Sequence, residues 1–250
     1  MKVTPQKQAK NFLPDWLTLH GLDAEKCHKI LALRDESGQH TGTSAASVPQ
    51  HTTQLSAVEA WQLVSRALTA AFPDDHQTVE EVRVNTKADL RRQTDAGQRP
   101  LTLHDAGNGY PYIRCGFGGR VAELIYLQHE FAHAVQLVAS KGTFLAPVLR
   151  ECCAFIGELA LLDQLRHEDA DLFADAEATW QFQDARIFRR HQSVLEKALG
   201  APDTPYNYNW NYPIARILSA HINKQLDQKQ KWQLFSAKID LSDLLEQLDI

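Results

Sequence analysis

The chain has 250 residues, 44% of them hydrophobic and 23% charged; that balance excludes global disorder and allows a core that needs no disulfide staples. The length fits one enlarged domain or two small ones. With 26 Lys and Arg against 31 Asp and Glu, the net charge is −5, which excludes the basic field that nucleic-acid binding requires.

Residues 1–56 read as a preface. Phe12 to Leu19 and Ala24 to Leu33 predict short helices, the second opened by Asp23. Asp35 to Leu55 is rich in Ser, Thr, Gly, Gln and His and reads as a linker. Residues 57–250 read as the main domain. Ser56 opens a helix in which Ala57, Ala60, Trp61, Val64, Leu68 and Ala71 recur at helical spacing, and Phe72-Pro73 closes it. Val79, Val82 and Val84, then Leu101 and Leu103, then Tyr112, Ile113 and Cys115 predict short strands. Ala106-Gly107-Asn108-Gly109 is a turn signal between the last two. Gly116-Phe117-Gly118-Gly119-Arg120 lacks the Lys-Ser/Thr ending of a phosphate loop and reads as a tight turn. Helices follow near 120–140, 147–166, 169–199, 211–228 and 239–248. The fold class is α+β, predominantly α-helical, with a small sheet ahead of the central helix.

No apolar run approaches the ~20 residues of a membrane span, and the N-terminus lacks the apolar stretch of a secretory signal. Cys27, Cys115, Cys152 and Cys153 do not form a disulfide pattern. Reduced thiols and a cytoplasmic location are the expectation, with secretion by another route left open.

The chemistry concentrates in His129-Glu130-Phe131-Ala132-His133, an H-E-x-x-H motif. Residues i and i+4 lie ~40° apart around a helix, so both imidazoles leave one face and can offer two nitrogens to one Zn²⁺. Glu130 then stands as general base beside the open coordination position. Ala122, Leu124, Ile125, Leu127, Phe131, Val135 and Leu137 make the helix apolar almost all round, hence buried. Two histidines and a glutamate there are costly unless metal or hydrogen bonds satisfy them. The next helix carries Glu151 and Glu158, two turns and ~10.5 Å apart on one face. One can ligate while the other orients a histidine, and spacing alone does not say which. Cys152 and Cys153 compete as soft ligands but rotate away from the face of Glu151.

These residues resemble the thimet oligopeptidase and oligoendopeptidase F group of zinc peptidases. Pro111 through Gly119 leading into the motif is similar to that group's strand, turn and active-site helix. Glu151 to Glu158 is similar to its E-x-x-S-x-x-x-E helix, with Ala154 in place of the small polar residue. Pro205-Tyr206-Asn207-Tyr208-Asn209-Trp210-Asn211-Tyr212 resembles its tyrosine-rich segment. The resemblance implies a zincin-like domain with one Zn²⁺ per chain, His129, His133 and Glu151 as ligands and Glu158 as supporting carboxylate. It also implies Tyr212, then Tyr208, as oxyanion donor, and Tyr206 as a substrate contact. The chain is far shorter than typical members. His191 is the nearest histidine upstream of the tyrosines, where members commonly carry one close by.

The function expected is a gluzincin-type peptidase acting on a peptide or protein, with no nucleic-acid partner. Two alternatives accompany it: a non-catalytic, zinc-stabilised binding module, and a protease dedicated to one protein. Oligomeric state is not legible.

Overall fold

The computed structural model describes residues 12–34, 50–92 and 99–250. Most of the predicted linker, residues 35–49, lies outside them. The helices are α1 (Leu13–His20), α2 (Ala24–Ala32), α3 (Ala57–Ala71), α4 (His76–Asn85), α5 (Val121–Ala139), α6 (Pro147–Glu168), α7 (Ala170–Ile187), α8 (Ser193–Leu199), α9 (Asn211–Gln225), α10 (Gln228–Phe235) and α11 (Leu241–Gln247). Three short strands, β1 (Lys87–Asp89), β2 (Leu101–Leu103) and β3 (Tyr112–Arg114), form one sheet in the order β1-β3-β2. β3 is central, parallel to β1 and antiparallel to β2.

Local chemistry explains most boundaries. Asp23 caps α2 through Lys26 N at 2.7 Å. Ser56 and Glu59 close a reciprocal capping box on α3. The β2–β3 hairpin turns where Asp105 Oδ1 accepts from the amides of Gly107 and Gly109. The glycine turn before α5 binds an anion, but an internal one: Glu123 Oε2 accepts from Gly118 N at 2.7 Å and Arg120 N at 3.1 Å. Gly119 has a φ of +89°, which a glycine adopts without strain. The loop's donors are thus spent on its own helix.

Three expectations need correction. Val79, Val82 and Val84 lie on helix α4, not a strand; Val79 and Val82, three apart, face the core while Val84 is exposed. Helical spacing of two valines outweighed their β propensity. The predicted helix 169–199 is interrupted by a π-helical segment, Phe188–Gln192, that separates α7 from α8. Helix α10 was missed altogether; it buries Leu234 and Phe235.

The two helices of the preface belong to the core. Leu13, Trp16, Cys27 and Ile30 join the same hydrophobic cluster as α5, α6 and α9. His20 at the end of α1 caps α6 from a distance. Its Nδ1–H donates to Trp16 O at 2.7 Å, which leaves Nε2 to accept from Val148 N at 3.2 Å. Ala146 provides no side-chain cap there.

The core is centred on α5 and α6, which meet at Ala132 and Gly157. A Cβ built on Gly157 would stand 2.5 Å from Ala132 Cβ, closer than packed carbons allow. Glycine in a helix interior costs about 1 kcal/mol in propensity; here it permits the close crossing.

Two predictions follow from these contacts. Gly157→Ala should destabilise the fold by about 1–3 kcal/mol through overpacking, despite alanine's better helix propensity. Ala132→Gly in the same chain should restore part of that loss, as read from urea midpoints in a double-mutant cycle. The second concerns pH. Burial lowers the pKa of His20, outweighing its bond to Trp16 O. Below the ordinary histidine value the unfolded chain binds a proton that the folded chain refuses, so this contribution to stability is complete at pH 7 and declines as pH falls. A His20→Gln variant should show a shallower loss of melting temperature between pH 7 and 5 than the parent.

Candidate metal centre

The α5–α6 crossing brings His129, His133 and Glu151 together. One ligand atom from each lies within 4.8 Å of the others, and tetrahedral zinc ligands sit about 3.4 Å apart. Glu151 Oε2 is 3.3 Å from His129 Nε2, and Oε1 is 3.8 Å from His133 Nε2. Oε2 is buried without a hydrogen-bond partner. The tautomer explains why these atoms converge. His129 Nδ1 lies 2.8 Å from Glu158 Oε1, so Nδ1–H donates there and the Nε2 lone pair faces the Glu151 carboxylate. Lone pairs facing one another in the interior fit a cation between them. The residues present therefore fit a metal ion.

Without a metal, charge does the same work. Burial opposes protonation of His129, but the carboxylates of Glu151 and Glu158 outweigh it and push its pKa up to about 10. Burial likewise opposes ionisation of Glu151, but the two histidines and Tyr208 hold it at about 2. His133 is lowered to about 4, chiefly by burial.

Behind the triad runs a buried chain that the sequence reading missed. Glu158 Oε2 accepts from Arg216 Nη1 of α9 at 2.6 Å, and Arg216 Nε donates to Asp184 Oδ1 of α7 at 2.8 Å. Arg216 is 0% exposed. Its guanidinium lies over the rings of Trp180 and Phe155, 3.8 and 4.6 Å from their centroids. A mixed-charge helix and a lone arginine gave no signal for this; only the fold pairs them. Burial works against the charged form of Glu158, yet Arg216 and His129 bring its pKa down.

In front of the triad opens a cleft of about 290 Å³, lined by His129, Glu130, His133 and Glu151 together with Leu101, Thr102, Gln136, Arg150, Tyr208 and Tyr212. Glu130 Oε2 accepts from the Thr102 hydroxyl at 2.6 Å, a second partner missed from sequence. Burial raises the pKa of Glu130, against the pull of His129 and Thr102.

The tyrosines separate into two groups. Tyr208 and Tyr212 line the cleft with ring centroids 5.8 Å apart. Tyr208 donates its hydroxyl to Glu151 Oε1 at 2.6 Å. Tyr206 is not among the cleft residues; its ring packs on Trp210 and its hydroxyl accepts from Asn211 Nδ2 at 3.3 Å. Asn211 is fully buried. It also donates to Tyr208 O at 2.7 Å and accepts from Trp16 Nε1 at 2.8 Å. His191, on the π-helical segment, packs against Tyr212 at 5.6 Å between centroids.

No family model and no curated protein matches the sequence. Solved structures match in fold. PZ peptidase A, solved with an inhibitor, aligns at TM-score 0.58 and 13% identity, over 96% of this chain and 57% of that one. An X-ray structure assigned as oligoendopeptidase F aligns at 0.55 and 14%, over 94% and 53%. Another so assigned, from Bacillus anthracis, aligns at 0.55 and 12%, over 94% and 51%. The chain thus has an oligoendopeptidase-like fold and spans about half the length of these proteins. Among the described residues no helix is long and apolar enough to cross a membrane.

Arg216→Met should leave Asp184 as an uncompensated buried carboxylate and Glu158 with His129 as its only charged partner among the described residues. We expect a loss of about 3–5 kcal/mol, measured by urea unfolding of the metal-free protein.

Proposed function

We propose that the chain is a zinc-dependent peptidase of the gluzincin type, binding one Zn²⁺ and hydrolysing peptide bonds of a peptide or protein. The observation that carries this reading is the convergence of His129 Nε2, His133 Nε2 and Glu151 on one cleft that Glu130 also lines. A His₂Glu donor set with a side open to solvent suits catalytic zinc. The oligoendopeptidase-like fold supports it.

Bound zinc would supply Lewis acidity toward the scissile carbonyl and lower the pKa of the attacking water. The chain's own residues do the rest. Glu158, anchored by Arg216, fixes the tautomer of His129, a common arrangement behind ligating histidines. Glu130, steadied by Thr102, accepts the proton of the water and returns it to the leaving amine. Tyr212 donates to the developing oxyanion. It is preferred to Tyr208 because a phenol has one proton, and that of Tyr208 already goes to Glu151. Tyr206 has no part in this scheme. β2 is an edge strand whose Leu101 and Thr102 line the cleft, so an extended substrate can pair with it through backbone bonds. The central strand β3, preceding the helix in sequence, has no free edge for that purpose.

Glu130→Gln should keep stoichiometric zinc and lose peptide cleavage; retained cleavage in a folded, zinc-loaded variant would overturn the proposed role. Tyr212→Phe should lower kcat by roughly 10²–10³ with little change in KM, as loss of one oxyanion donor does. If Tyr208→Phe shows that pattern instead, the two tyrosines exchange roles. Glu158→Gln should weaken zinc affinity about 10–100-fold, read by competition with a chromogenic chelator.

A further inference from the structure

The cleft contains more polar function than hydrolysis requires. Arg150 stands at the start of α6 next to Glu151 and lines the cleft beside His133, Gln136 and Leu137. Its guanidinium makes no hydrogen bond or ion pair among the described residues, and its Nε is buried without a partner. The nearby acids are otherwise engaged. Glu151 faces the two histidines and Tyr208, and Glu130 holds Thr102. Among the described residues no other carboxylate lines the cleft.

A second, independent feature adjoins it. Gln136 is 1% exposed, lies one turn beyond His133 on α5, and lines the same cleft. Its Oε1 is buried with no partner. An orphaned buried acceptor costs about 1–3 kcal/mol, and a folded chain retains one where a ligand satisfies it. A guanidinium seeks an anion with paired oxygens; an orphaned amide oxygen seeks an N–H. An amino-acid residue bearing a carboxylate offers both groups on one short unit.

We propose that Arg150 and Gln136 form a substrate subsite for a carboxylate-bearing residue, the guanidinium taking the carboxylate and Gln136 Oε1 accepting from the residue's backbone N–H. This rests on the peptidase reading and specifies its substrate class as acidic at one position. Two sources share that chemistry, an Asp or Glu side chain and the terminal carboxylate of a short peptide.

The test uses the full chain loaded with zinc and four matched peptides: internal Glu or internal Gln, each with a free or an amidated C-terminus. The wild-type protein should cleave one carboxylate-bearing form about 10–100-fold more efficiently in kcat/KM than its neutral counterpart, the worth of one hydrogen-bonded charge. Preference for Glu over Gln identifies a side-chain site, and preference for acid over amide a terminal one. Arg150→Gln should reduce that ratio toward one, and Arg150→Lys should restore part of it, with melting temperature and zinc content confirming that both variants fold. Equal cleavage of all four peptides by the wild type, or a preference that survives Arg150→Gln, overturns the proposal. If no peptide is cleaved, the peptidase reading fails, and calorimetric binding of the same peptides decides the subsite separately. A carboxylate preference in binding that Arg150→Gln abolishes upholds it, and equal or absent binding overturns it.

Discussion

Helices α5 and α6 touch at Ala132 and Gly157, and the convergence of the candidate metal site depends on that approach. Three side chains on two helices can share one ion only if their backbones are close. His129 and His133 leave α5 on one face, Glu151 leaves α6 toward them, and Glu158 reaches His129 from two turns along α6. A side chain at position 157 would stand 2.5 Å from Ala132 Cβ and force the helices apart by about 1 Å, enough to loosen ligand atoms now 3.3–3.8 Å from each other. The glycine is therefore a positional requirement of the site, although it touches none of the ligands.

The charges of the site form a line rather than a cluster. From the cleft inward they alternate: Glu151, His129, Glu158, Arg216, Asp184. Each buried charge is compensated by its neighbours, which is the condition under which such groups persist in an interior. The line links four helices, since its members come from α5, α6, α9 and α7. It anchors at Asp184 one residue-turn before the π-helical segment that carries His191 toward Tyr212. π-Helical turns recur at functional sites because they shift side chains off the regular helical register. Here the register shift and the anchored arginine sit side by side.

What the sequence made legible was the part whose chemistry is local. The i, i+4 histidines, the two-turn glutamates and the capping residues Asp23 and Ser56 carry their meaning in spacing, and spacing survives folding. The predominantly helical α+β class was legible for the same reason. Partners distant in sequence were not. Thr102 for Glu130, Arg216 for Glu158, Asp184 for Arg216 and Trp16 for Asn211 are separated by 28, 58, 32 and 195 residues, and no periodicity encodes such pairs. Tyr206, a substrate contact by resemblance alone, packs its ring on Trp210 and does not line the cleft; a likeness of motif does not encode which way a side chain turns.

The early helices supply the last step. A tyrosine that donates to an oxyanion must be held before the charge develops, since reorganisation during reaction would cost what the bond gains. Tyr208 sits on a short 3₁₀ turn and Tyr212 in the first turn of α9, where helix ends leave backbone groups that need outside partners. Asn211 supplies one. Its amide spans Trp16 on α1 and the carbonyl of Tyr208, and Leu13 N donates to Thr204 O at 3.2 Å at the segment's beginning. Trp16 in turn packs edge-on against Trp210, while His20, one turn further along α1, caps α6 just ahead of Arg150 and Glu151. A single helix of eight residues thus braces both the tyrosine segment and the end of α6 that faces the cleft. Residues that read as a preface in the sequence hold the two walls of the site in register with each other.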